Sequence, residues 1–114
     1  MNKMDQECGI ITKTILPAIR ASVAQAMVSE YGYTQEKVAK ELGVVQVAVS
    51  KYLNKKYSKE VKTVNKYFND NGIGKTIAKE IFDGKNRAYV RARIDKVCAE
   101  VMLKNIGVLD GRRT

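Results

Sequence analysis

Between Val44 and Ser58 the chain carries Gln46, Ser50, Lys51, Asn54, Lys55 and Lys56 and no carboxylate. Gln46 and Ser50 stand four residues apart, as do Val47 and Lys51, and Ser50 and Asn54. On a helix these pairs fall into adjoining stripes of one surface. The chemistry open to such a set is contact with nucleic acid. A glutamine amide can pair bidentately with adenine, and a lysine ammonium can reach guanine O6/N7 or a phosphate.

Other reactive constellations fall away. The chain has no histidine and only two cysteines, Cys8 and Cys98. They are short of the four N/S ligands of a structural zinc site, so no metal and no cofactor is expected. The cysteines read as buried free thiols of a reducing compartment, with a disulfide from the N-terminus to the last helix as the alternative. The segment "NGIGKT" sets Gly74, Lys75 and Thr76 as a phosphate loop would. That loop also needs a glycine at position 69 after a strand, and Asn69 stands there in a helical context. No carboxylate pair with motif context and no nucleophile elbow is present, so the chain is not expected to be an enzyme.

With 114 residues, 45% hydrophobic and 29% charged, the chain is long enough for one compact domain, or a small domain with an accessory helical segment. Its net charge of +9 favours a polyanionic partner. Residues 1–57 hold eight basic against five acidic side chains and residues 58–114 hold thirteen against seven, so charge alone does not locate a face. No apolar run approaches the roughly 18 residues that span a bilayer, and the start "MNKMDQECG" lacks an apolar leader core. The expectation is a cytoplasmic protein with no membrane partner and no evident small-molecule ligand.

The elements that must position these residues read as helices throughout. Leu16, Ile19, Val23, Ala26 and Met27 recur at helical spacing. Either Thr14 caps that helix, or it begins near Asp5 and bends at Pro17. Thr34 is an N-cap, Val38, Ala39 and Leu42 form the inward face of the next helix, and Gly43 supplies the positive φ that ends it. Gln46–Leu53 follows, with Val49, Tyr52 and Leu53 inward, and then the connector "NKKYSK". Val61, Val64 and Phe68 mark a helix ended by "NDNG", and Lys75–Phe82 places Ile77, Ala78, Ile81 and Phe82 inside. The last helix runs from Arg87 to Ile106 with Val90, Ile94, Val97 and Val101 in a heptad seam, leaving "GVLDGRRT" as a frayed tail. The expected division is 1–57, bearing the motif 34–54, and 58–114, a C-terminal support and dimerisation segment.

A helix-turn-helix needs a tight turn opened by a residue at positive φ, a small residue where the second helix crosses, and two apolar wedges. Gly43, Ala39, Val44 and Val49 meet those four constraints. At this point "TQEKVAKELGVVQVAVSKYLN" resembles the phage-repressor (Cro, or XRE-type) helix-turn-helix family, whose consensus runs close to "LTQEELAKLLGVSQSTVSRYLNG". The match is ungapped in Thr34-Gln35, Val38-Ala39, Leu42-Gly43-Val44, Gln46, Val49-Ser50 and Tyr52-Leu53-Asn54, with basic Lys51 in register. Upstream, "ILPAIRASVAQAMVSEYG" is similar to the first helix of predicted archaeal transcriptional regulators, and Cys8 matches a cysteine of theirs.

The resemblance implies an all-α, sequence-specific regulator of transcription on double-stranded DNA, expected to act as a repressor. It further implies that Gln46 to Asn54 is a recognition helix in the major groove. Carried over, Thr34 and Gln35 meet phosphate, Gln46, Val47, Ser50 and Lys51 face base edges, and Asn54, Lys55 and Lys56 clamp the backbone. A homodimer through Val90, Ile94, Val97 and Val101 would present two such helices to an inverted repeat. The seam packing on the chain's own helices is the other reading. Val45 departs from the family by standing where Ser or Thr caps the recognition helix, and Val47 and Ala48 replace its polar reading pair. Either Val47 touches a thymine methyl, or few bases are read and DNA shape supplies the preference. The valines of "VVQVAV" equally suit an alternative, a protein-interaction module such as an antitoxin or adaptor.

Overall fold

The computed structural model describes the backbone of residues 9–109 and the side chains of residues 9–103. Six α-helices follow in order: α1 Leu16–Tyr31, α2 Gln35–Leu42, α3 Gln46–Leu53, α4 Lys59–Asp70, α5 Ile73–Phe82 and α6 Arg87–Leu109. There is no strand among the described residues, and the all-α expectation holds.

Thr14 does not cap α1. Helical backbone already runs from Gly9, and Ile11–Ile15 forms a π-helical turn in which the Leu16 N–H reaches the Ile11 carbonyl. Pro17 accounts for that turn. Inside a continuous helix it has no N–H to give, and its ring would strike the carbonyl four residues earlier. A wider turn just before it relieves the conflict. Residues 1–8, with Asp5 and Cys8, lie outside the described residues.

Helix α1 is the axis of the molecule. Ala18, Ile19, Ala21, Ser22, Val23, Ala24, Ala26 and Met27 are all buried, so the helix is covered on every side. All five other helices pack against it. The closest approach is to α5, where a Cβ added at Gly74 would stand 2.1 Å from Ser22 Oγ and 2.6 Å from the Ser22 carbonyl carbon and oxygen. Only glycine lets the two backbones meet at this distance.

One cluster of buried residues runs from Ile15 through Val49, Phe68 and Ile81 to Met102. The core therefore does not divide at residue 57. The seam of α6 has its partner within the chain: Val90, Ile94, Val97 and Val101 are only 2–8% exposed and belong to that same cluster. Covered in this way, the four side chains are not the dimer surface expected of them. A heptad-like spacing suits a helix lying along its own bundle as well as one facing a second copy. Helix α6 also continues past Ile106 to Leu109, into the segment read as a tail, while residues 110–114 lie outside the described residues.

Phe82 is a second correction. It is 55% exposed, and its ring stacks on Tyr31 at 4.4 Å between centroids, closing the ends of α5 and α1 at the surface. Helices α5 and α6 are joined through Glu80, which accepts from Tyr89 Oη at 2.7 Å and from Arg93 Nε at 3.1 Å. Burial pushes the Glu80 carboxyl up, but these hydrogen bonds and the Arg93 charge outweigh it and hold the group below its ordinary value. Its contribution to stability is full above the ordinary carboxylate value and is lost as pH falls from there through the lowered folded-state value. Cys98 is a free thiol inside the core, where burial pushes its pKa up to about 11 and keeps it protonated and unreactive.

Replacing Gly74 with alanine tests the axis. Alanine favours a helix by about 1 kcal/mol over glycine, but here the added methyl collides with backbone. Urea unfolding is expected to show a net loss of about 2 kcal/mol or more.

Candidate nucleic-acid interface

The site is built on α2 and α3, which pack on each other and on α1. Thr34 caps α2, with its Oγ1 accepting from the Lys37 N–H at 3.1 Å, and Glu36 lies in the first turn as the helix dipole favours. Gly43 ends α2 in the left-handed region at φ 69°, and the Val44 N–H turns back to the Ala39 carbonyl at 3.0 Å. Val49 and Val38 are fully buried and Ala39 nearly so, which is the wedge geometry the motif requires.

The start of α3 lacks a cap. Val45 has the extended conformation of an N-cap, but no side-chain hydrogen bond closes the first turn. Val45 is 71% and Val47 65% exposed. With Val49 buried, helical geometry directs Val47, Lys51 and Asn54 away from the core, with Ser50 beside them. Gln46 is exposed at the first turn, and Gln35 and Thr34 are exposed at the start of α2.

Asn54, exposed at the end of α3, has a task within the helix itself. Its Nδ2 donates to the Ser50 carbonyl at 2.9 Å and to Ser50 Oγ at 3.3 Å, closing the end of the helix and orienting the Ser50 hydroxyl. Lys55 follows at φ 55°, the only non-glycine residue at positive φ among those described. The Lys56 N–H reaches the Lys51 carbonyl at 2.9 Å and the Lys55 N–H reaches Tyr52 at 3.4 Å. This is the glycine-type helix end with lysine in the glycine position.

The electrostatics of the face are one-sided. Lys51, Lys55 and Lys56 are exposed and make no ion pair among the described residues. The ion pairs that do form, Lys66 with Asp70, Lys79 with Asp83 and Arg93 with Glu80, belong to α4, α5 and α6. Lys37 lies over the Tyr33 ring, 4.5 Å from its centroid, which keeps its charge at the start of α2.

Two supports of the face were not read from the sequence. The first is a polar network between α1, α3 and α4. Gln25 Nε2 donates to the Tyr52 carbonyl and to Tyr57 Oη, both at 3.1 Å, and Tyr57 Oη donates to Asn65 Oδ1 at 3.2 Å. Asn65 Nδ2 reaches the Ala18 carbonyl at 3.2 Å, Asn69 Nδ2 reaches Gln25 Oε1 at 3.1 Å, and Ser22 Oγ donates to Asn69 Oδ1 at 2.5 Å. No buried side-chain nitrogen or oxygen among the described residues lacks a partner. A signal was present: Val61, Val64, Asn65 and Phe68 fall at i, i+3, i+4 and i+7, which puts Asn65 on the buried stripe. The second support is Arg87, at the start of α6. Its Nη2 donates to the Lys40 carbonyl near the end of α2, and its Cδ lies 3.4 Å from where a Cβ at Gly43 would stand. A cation at the negative end of α2 thus joins the last helix to the turn of the motif.

A helix-turn-helix family model matches residues 23–74, from the middle of α1 into α5. No curated protein and no solved structure matches the chain.

Two substitutions on this face should raise stability. Serine in place of Val45 restores the missing cap and is expected to add about 1 kcal/mol in thermal unfolding. Glycine in place of Lys55 relieves the left-handed backbone and, after its extra unfolded-state entropy, should add about 0.5–1 kcal/mol. With the α2 cap, the turn and the wedges in place, residues 23–74 form a helix-turn-helix domain of the phage-repressor (Cro, XRE-type) type, of the kind found in DNA-binding transcriptional regulators.

Proposed function

We propose that the protein is a sequence-specific transcriptional regulator, acting as a repressor, that sets α3 in the major groove of double-stranded DNA. The observation that carries this reading is the exposed face of α3 and its C-terminal end. Gln46, Val47, Ser50 and Lys51 point outward beside Lys55 and Lys56, with no carboxylate in the segment and no ion pair among the described residues drawing the lysines away. In that arrangement Gln46 pairs with adenine, Lys51 reaches guanine or phosphate, Lys55 and Lys56 hold the backbone, and the start of α2 meets phosphate through Gln35.

A homodimer on an inverted repeat belongs to the same proposal, with two α3 helices about 34 Å apart. Its surface lies elsewhere than the α6 seam, whose valines and isoleucine are inside the chain. The mass of the free and DNA-bound protein in sedimentation distinguishes one copy per site from two.

The exposure of Val45 and Val47 favours a second reading, a docking patch for another protein. Salt separates the two, because release of counterions makes duplex binding fall steeply with ionic strength while an apolar protein contact responds weakly. Selection of duplex sites from a random pool tests the base-reading role directly. Gln46→Ala should cost about 1–3 kcal/mol on the selected site and relax preference at one position. Lys51→Ala should weaken binding and, if its partner is a phosphate, lower the salt slope by about one. Enrichment of no sequence, with neither variant altered in affinity, would exclude α3 as the reader.

A further inference from the structure

The first turn of α3 presents an apolar surface in an otherwise polar, basic setting. Val47 stands on the outward face with Lys51 one turn beyond it, and Val45 precedes it, both about two-thirds exposed or more. Neither contributes to the buried cluster that holds the fold together. Two valines bordered by Gln46, Ser50 and Lys51 fall far short of the roughly 800 Å² per partner of a stable protein interface. The lysines around them match a phosphate backbone in charge. Among base edges in the major groove, the apolar group is the C5-methyl of thymine.

We infer that Val47, with Val45 beside it, reads thymine by contact with that methyl, so that the operator carries thymine opposite the first turn of α3. This rests on the duplex-DNA reading proposed above and gives it a chemical specificity. Gln46 sits between the two valines in sequence and is the adenine reader. The turn therefore combines an adenine contact with methyl contacts, and the favoured site has A·T pairs where the helix enters the groove. Serine at position 45 would have capped the helix, whereas valine forgoes that bond and leaves a methyl-bearing side chain exposed.

The full chain is tested on duplexes that it selects itself from a random pool. Each thymine of the selected site is replaced in turn by deoxyuridine, which removes the methyl and leaves every hydrogen-bonding group in place. Loss of one buried methyl corresponds to about a fourfold drop in affinity. That drop is expected at one or two thymines per half-site and at no others. In Val47→Ala the thymine-to-uracil ratio at one of these positions should fall to near one, while the dependence on salt stays unchanged. In Val45→Ser the same loss is expected at a neighbouring position, and an unchanged ratio there would remove Val45 from the contact. Both side chains are outside the core, so circular dichroism should show both variants folded.

Equal binding of thymine and uracil at every position would overturn the inference and leave the duplex reading standing. So would a ratio in Val47→Ala that matches the unmodified protein. If the pool yields no enriched sequence, or a site without thymine, the inference falls. Absence of salt-dependent duplex binding would remove the duplex reading itself.

Discussion

Helix α1 can be enclosed on all sides only because α5 carries no side chain where it crosses Ser22. A methyl at Gly74 would meet Ser22 backbone atoms at 2.6 Å, so α5 would have to withdraw from the axis against which every other helix rests. Interiors pack at close to crystalline density, and a helix displaced by a methyl group leaves contacts unmade along its length. The same crossing organises the polar network. Ser22 gives its hydroxyl to Asn69, and Gln25, three residues on, holds the Tyr52 carbonyl near the end of α3. The position of α3 thus depends on a glycine two helices away in sequence.

The network has a cost and a use. A buried amide is expensive unless its donors and acceptor are met, and Asn65, the buried amide of the network, meets them through Ala18, Gln25, Tyr57 and Asn69. Apolar side chains could fill the same volume without fixing a direction. Hydrogen bonds to the Tyr52 carbonyl and through Tyr57 fix how α3 sits against α1 and α4. Arg87 does the corresponding work at the turn, so α6 helps to shape the motif and is not an appendage to it.

What the sequence revealed followed the range of the forces involved. The Thr34 cap, the Gly43 turn, the Val49 wedge and the end of α4 near Asn69–Gly72 depend on neighbours within a turn or two, and each was legible. Residues that answer to distant partners were not. The spacing of Val90, Ile94, Val97 and Val101 shows that α6 has an apolar side but not which surface covers it, and the chain's own core does. Phe82 continues the apolar pattern of α5, yet Tyr31 draws its ring outward. The bonds by which Asn54 closes the helix against Ser50 were not legible either, because its polar side chain beside the lysines suggested only a phosphate contact. Thr14 failed as a cap because a π turn lets the helix run through Pro17.

Helix α3 is where local preference and final structure disagree most. With eight residues it is too short to persist alone, its first turn has no cap, and a lysine occupies the left-handed position at its end. Two valines stand in solvent at its start. Each feature disfavours the free helix, and each could be removed by one common substitution without touching the core. The helix persists because Val49 is locked between α1 and α2 and because Gln25 grips its last turn. Tertiary contacts therefore carry the stability of α3, which releases its outer face from any duty to the fold. Departures from good local design that gather on such a face are expected where binding, not folding, has set the residues. In α3 they coincide with the side chains that point away from the core, and the ammonium groups among them have no ion-pair partner among the described residues.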